Sequence, residues 1–201
     1  MALQRLLPKL NVVNVVATAE LGQFVNLERL VYVPGFLYNT AIYRCAYLKD
    51  NRTRAKISIF STGKMISAGT KSYKDAKHDL NYAAKRLAEI GLVTKARINV
   101  KLQNIVATGD IGHTIDIERL ATELPNVIYE PEQFSGAIYY AKELEGASIL
   151  IFASGKVVFA GLKRGELLER GKRVLELARY IWLANPKQDV TSSNASCLGA
   201  G

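Results

Sequence analysis

The chain carries one long pattern twice, and this internal repeat constrains its fold more than any other feature. Residues 14–30 align without a gap to residues 104–120, an offset of ninety, and eight of the seventeen positions are identical. They are Asn14/Asn104, Val16/Val106, Ala17/Ala107, Thr18/Thr108, Gly22/Gly112, Glu28/Glu118, Arg29/Arg119 and Leu30/Leu120. Further along, Ile59-Phe60-Ser61-Thr62-Gly63-Lys64 returns as Ile151-Phe152-Ala153-Ser154-Gly155-Lys156, and Ala68-Gly69-Thr70-Lys71 as Ala160-Gly161-Leu162-Lys163. Chance matches do not stay collinear over such a length, so the chain is a tandem duplication whose units are longer than the usual solenoid periods. The expected division is a first repeat over residues 1–95, a second over 96–186, and a tail over 187–201 whose Ser, Gly and Ala content predicts disorder.

Within each unit the apolar period switches from two to that of a helix and back. Residues 12–18 read as a strand, and Asn26 and Asp116 as N-caps of a short helix running into Glu28, Arg29, Leu30 and their counterparts. Strand patterns follow over 43–48, 55–60 and 64–70, with Ser61-Thr62-Gly63-Lys64 as a hairpin turn. A long helix closes each unit, its buried stripe marked by Ala76, Leu80, Ala83, Leu87 and Ile90 in the first repeat and by Leu167, Val174, Leu177, Ala178 and Ile181 in the second. The fold class is therefore α+β, with helices on one face of an antiparallel sheet. The other face is not polar. Alternation puts Ser58 and Phe60 opposite Ile57 and Ile59, and Leu150 and Phe152 opposite Ile149 and Ile151. One apolar face meets the helices; the second is a binding surface or packs on another sheet.

Charge suggests what would bind there. Lys and Arg number 27 against 18 Asp and Glu, a formal net charge of +9, which favours an anionic partner and nucleic acid ahead of a membrane surface. No apolar run approaches the roughly 20 residues of a membrane span, and residues 1–10 lack a signal-peptide core. Cys45 and Cys197 are too few for a zinc module or a disulfide framework, which suits a reducing, intracellular setting. No cofactor and no metal are expected. The Ser-Gly-Lys turns lack the glycine spacing and following helix of a P-loop, so an NTPase is rejected.

The motifs Gln103-Asn104-Ile105-Val106-Ala107-Thr108, Tyr129-Glu130-Pro131-Glu132-Gln133-Phe134, Leu150-Ile151-Phe152-Ala153-Ser154-Gly155-Lys156 and Gly161-Leu162-Lys163 closely resemble the TATA-box-binding protein family, over about residues 10–184. The second half resembles archaeal members in particular. The resemblance implies a saddle of two pseudo-symmetric repeats, with a concave DNA-binding sheet and helices on the convex side. It implies a general transcription initiation factor that binds and bends the minor groove of TATA-box promoter DNA and recruits transcription factor B and, indirectly, RNA polymerase. An archaeal cytoplasm or nucleoid is the favoured setting over a eukaryotic nucleus, and a homodimer of the free protein is a further expected partner.

Residue by residue, the resemblance assigns DNA wedges to Phe134 and Phe152, and to Tyr43 and Phe60 in the first repeat. It assigns the minor-groove floor to Asn14, Val16, Ile66, Asn104, Val106, Leu150 and Val158, phosphate contacts to Lys49, Lys64, Lys71, Lys156 and Lys163, and contact with transcription factor B to Glu130 and Glu132. The Asn amide can donate to the acceptors of A·T pairs, while a guanine amino group collides with an apolar floor. The chain departs from the family pattern at several places. Thr40 replaces a proline, Tyr43 a phenylalanine, Ala68 and Ala160 threonines, Ser58 a floor leucine, and Tyr140 an arginine for which Lys49 stands in the first repeat. A phenol inserts less readily into an apolar base step, and the lost hydroxyls predict a weaker or altered sequence preference.

Two other functions compete. Taken singly, the phenylalanines would be core and the helix lysines (Lys74, Lys77, Lys85 and Arg86; Arg170, Lys172, Arg173 and Arg179) a solvated face. A diverged relative that tethers transcription factors while binding DNA weakly fits the departures. An enzyme using this fold as an accessory domain, as in some DNA glycosylases and nucleases, is disfavoured because His78 and His113 fall on different elements with no acidic or Cys/His cluster beside them.

Overall fold

A computed structural model describes the backbone of residues 9–183 and the side chains as far as Glu176. The expected tail over 187–201, Cys197, and the helix positions Leu177, Ala178 and Ile181 lie outside the described side chains. In the first repeat β1 (Asn11–Glu20) leads through a 3-10 turn to β2 (Phe36–Leu37), β3 (Cys45–Leu48), β4 (Lys56–Phe60), β5 (Lys64–Thr70) and helix α1 (Tyr73–Glu89). The second repeat runs through β6 (Val100–Asp110), α2 (Ile117–Glu123), β7 (Val127–Ile128), β8 (Ala137–Tyr139), β9 (Ser148–Ile151), β10 (Lys156–Leu162) and α3 (Glu166–Leu183). All ten strands form one antiparallel sheet in the order β2-β3-β4-β5-β1-β6-β10-β9-β8-β7. That order reads as two copies of one half-sheet joined along their first strands.

The joint is a pseudo-dyad written in the register. Val15 pairs with Ile105, and on either side Asn14 pairs with Val106 and Val16 with Asn104. A strand that begins each repeat is thus used twice, once to close its own half against β5 or β10 and once to weld the halves together.

Both predicted caps form. The Asn26 side chain accepts from the Glu28 amide and the Asp116 side chain from the Arg119 amide, satisfying N–H groups that a helix start leaves without a partner. The first capped segment is only a 3-10 turn, Leu27–Leu30, whereas its counterpart makes two turns of α-helix. Ser72 caps α1 by accepting from the Asp75 amide.

The core lies on the helical side of the sheet. Val15, Ala17, Ile57, Ile59 and Met65 are buried with Ala76, Leu80, Ala83 and Leu87 of α1, while Ile90 is only half-buried. In the second half Ile105, Ala107, Ile149, Ile151, Val157 and Phe159 are buried with Leu167, Val174 and Leu175 of α3. A Cβ on Gly171 would lie 2.3 Å from the Phe159 ring, so glycine is what lets α3 settle on that aromatic. Asp79, fully buried on α1, accepts from the Arg54 and Ala55 amides at 2.9–3.1 Å and pins the loop before β4 to the helix.

Candidate nucleic-acid interface

Period-two alternation now decides which residues face away from the helices. Asn14, Val16 and Thr18 of β1, Ile66 and Ala68 of β5, Ser58 and Phe60 of β4, and Tyr47 of β3 are half-buried or exposed, while the residues between them are buried on the helical side. The second half repeats the arrangement with Asn104, Val106, Thr108, Val158, Ala160, Leu150, Phe152 and Ile138. Among the described residues no second sheet or helix covers this face. Of the two sequence readings, an uncovered surface rather than a sheet–sheet core is the one seen.

At its centre the two asparagines are held in one orientation. The Asn14 carboxamide oxygen accepts from the Gly69 amide at 2.9 Å, and that of Asn104 from the Gly161 amide at 3.0 Å. Both glycines sit at register shifts where β5 and β10 bulge, at φ of +108° and +85°, a region that favours glycine. An N–H aimed at each side chain dictates that the oxygen faces the backbone, so the NH2 group is the end presented to the open face. The sequence supplies donors, and the bulges aim them. Ala68 and Ala160 lie beside these bulges and add no hydroxyl.

The ends of the face are aromatic, and the two ends differ. Phe134 and Phe152 meet edge to face, ring centroids 5.7 Å apart at 67°. Gly136 makes this approach feasible, since a Cβ there would lie 3.0 Å from the Phe134 ring and 3.1 Å from the Phe152 ring. In the first repeat the turn that carries Tyr43 has the same backbone bonds: Asn39 O accepts from Ile42 and Tyr43 N, as Glu130 O accepts from Gln133 and Phe134 N. Cys45, however, occupies the place of that glycine, opposite Phe60 in the ladder. Tyr43 turns to Tyr47 instead, with ring centroids 5.2 Å apart at 83°. The neighbouring Cys45, first among the causes, pushes the Tyr47 phenol above its ordinary pKa. Lys56 completes this end, its ammonium 4.1 Å from the Tyr47 ring centroid.

The basic groups rim the face. Lys64 and Lys156 begin β5 and β10, and Lys71 and Lys163 follow their ends, so four exposed cations bracket the strands flanking the central pair. Across the ladder Lys64 faces Glu20 and Lys156 faces Asp110. Lys49 is exposed just beyond β3 and Tyr140 just beyond β8, each donating its amide to a loop carbonyl, Gly35 O and Asn126 O. Glu130 and Glu132 are exposed on the turn before Phe134. A trough of about 670 Å³ runs beside Phe152, lined by Lys9, Asn11, Thr108, Asp110, Lys156 and Val158. Tyr47 and Lys56 join this face beyond the residues that the sequence motifs assign, Lys56 by the same alternation that places Ser58 and Phe60 there. No group of three or more His, Cys, Asp or Glu side chains that could hold a metal occurs among the described residues, and no described helix is long and apolar enough to cross a membrane.

Comparison with known proteins agrees with this geometry. The family model described as transcription factor TFIID (or TATA-binding protein, TBP) matches residues 9–90 and again 99–175, one match per repeat. A TATA-box-binding protein of Thermococcus celer is 37% identical over 184 residues, covering 90% of this chain and 97% of the relative. That of Cenarchaeum symbiosum is 37% identical over 161 residues, covering 79% and 87%. The solved structure of Methanococcus jannaschii TBP superposes with a TM-score of 0.73 at 30% identity, over 86% of this chain and 99% of that one.

Proposed function

Given that the chain belongs to the TATA-binding protein family of transcription factors, we propose that its open sheet face binds the minor groove of A·T-rich promoter DNA and bends it to start transcription. The observation that carries this reading is the pair of Asn amides fixed donor-outward at the pseudo-dyad by Gly69 and Gly161. A·T pairs offer only acceptors in the minor groove, whereas G·C adds a guanine donor that two outward NH2 groups cannot accept. Val16, Val106, Ile66, Val158 and Leu150 supply the apolar floor around them. Phe134 and Phe152 act as one wedge and Phe60 with Tyr43 as the other, opening base steps so that the duplex curves over the sheet. Lys49, Lys64, Lys71, Lys156 and Lys163 contact phosphates, giving salt-dependent affinity without base readout.

The bent complex then serves as a platform. Glu130 and Glu132, exposed on the turn beside the second wedge, contact transcription factor B, which brings RNA polymerase. The two repeats, 1–95 and 96–186, each contribute one half of the DNA face. The test is a competition titration of a TATA duplex against its G·C-substituted counterpart at two salt concentrations. Preference for TATA that persists as both affinities fall with salt supports the reading. Equal, purely salt-driven binding overturns it.

A further inference from the structure

The two halves of the open face are not chemically equivalent, and the differences cluster. In the ladder Tyr47 pairs with Ser58 where the second half pairs Ile138 with Leu150. Next to it Lys56 pairs with Ala68 where the second half pairs Ser148 with Ala160. One end of the floor therefore carries a hydroxyl, a phenol and an ammonium where the other carries two aliphatic side chains and one small hydroxyl. The Ser58 hydroxyl makes no hydrogen bond within the described protein and faces the open side, with Ile57 and Ile59 buried beneath. The cation–π contact at 4.1 Å holds the Lys56 ammonium against Tyr47 on the same face.

We propose that this cluster makes the first-repeat half accept a G·C pair that the second-repeat half rejects, so that the preferred element is asymmetric. The inference rests on the minor-groove reading above. Guanine projects its N2 amino group from the groove floor; over Leu150 that donor loses its hydration and finds no acceptor. Over Ser58 it finds both a free acceptor oxygen and the space a leucine would have filled. The paired cytosine O2 accepts from Lys56. A sequence preference of this kind orients a pseudo-symmetric protein on DNA, because a G·C pair at one end is tolerated in one orientation only.

The experiment uses a self-complementary A·T duplex, on which both orientations are equivalent, and the full chain. Competition titrations compare the parent with duplexes carrying guanine in one half, guanine in both halves, or inosine at the same sites. Inosine lacks the N2 amino group and so controls for everything but that donor. The wild-type protein binds the one-half guanine duplex within about three-fold of the parent and loses about ten-fold or more on the both-halves duplex, the range of a disfavoured base pair. Ser58→Leu restores the penalty to the one-half duplex, and Leu150→Ser removes it from the both-halves duplex. If Ser58→Leu does not fold, Leu150→Ser and the wild-type series still decide. Equal penalties for each guanine added, with inosine harmless, overturn the asymmetry while leaving the minor-groove reading standing. Indifference to guanine in both halves overturns that reading too.

Discussion

Replacing Asn104 with aspartate separates the two jobs of one side chain. The carboxamide oxygen accepts from the Gly161 amide at 3.0 Å, and an aspartate oxygen accepts from the same N–H in the same place. The bulge at β10 should therefore survive, and a thermal melt of the Asn104→Asp protein should lie within a few degrees of wild type, since a change under about 1 kcal/mol moves a chain of this size by roughly 2–4 °C. The other terminus changes sign. An NH2 donor becomes a carboxylate oxygen facing the adenine N3 or thymine O2 acceptors at the centre of the groove. The hydrogen bonds lost there are worth about 1–3 kcal/mol, and the acceptor–acceptor contact adds to that loss, so affinity for a TATA duplex should fall by at least about ten-fold. The slope of log affinity against log salt should stay near wild type, because no phosphate contact is touched and one negative charge is added at the floor rather than the rim. The assay is a fluorescence-anisotropy titration at three salt concentrations alongside the melt. Unchanged affinity would refute the donor-outward account. A collapse of the melt would show that the oxygen's bond to Gly161 is not what the substitution preserves.

Three further outcomes follow from particular contacts. Gly136→Ala puts a Cβ 3.0 Å from the Phe134 ring and from Ile151 O, and 3.1 Å from the Phe152 ring; the wedge pair must part, and DNA bending read by donor–acceptor fluorescence should drop while A·T preference persists. Asp79→Ala leaves the buried Ala55 amide without its acceptor, whereas the exposed Arg54 amide can turn to water; unfolding in urea should show a loss of about 1–3 kcal/mol. Glu145 is held below the ordinary carboxylate range by Arg164 first and by Arg170, 2.9 Å away, as well. A depressed folded-state value stabilises the fold above the ordinary carboxylate pKa and ceases to as pH falls through the lowered one. Glu145→Gln should therefore melt below wild type at neutral pH, and the gap should close in acid.

The architecture was readable because the repeat, the caps and the strand alternation are local. Asn26 and Asp116 each sit next to the amides they cap, and Ile57/Ile59 against Ser58/Phe60 reports the sheet's two sides without any knowledge of partners. The pseudo-dyad was not readable in its register: that Asn14 pairs with Val106 depends on how the two halves join. The asparagines were conspicuous as polar residues in a strand, but what orients them is an amide 55 or 57 residues away. The turn that carries Tyr43 has the same backbone hydrogen bonds as the turn that carries Phe134. The Tyr43 ring leans on Tyr47, and Cys45 stands opposite Phe60 where Gly136 leaves room for the Phe134–Phe152 approach, a difference that shows only once β3 and β4 are paired. The predicted strand over 43–48 begins instead at Cys45, because residues 39–43 form the turn.

The central claim is that the open face bends an A·T-rich duplex through its wedge side chains, and a single titration tests it. A TATA duplex labelled at both ends is titrated with the wild-type chain and with the Phe134→Ala/Phe152→Ala protein, reading end-to-end energy transfer. The account predicts a rise in transfer on wild-type binding that is absent from a G·C-substituted duplex and largely lost in the double variant. Binding of the TATA duplex by both proteins with the same transfer as free DNA would contradict it.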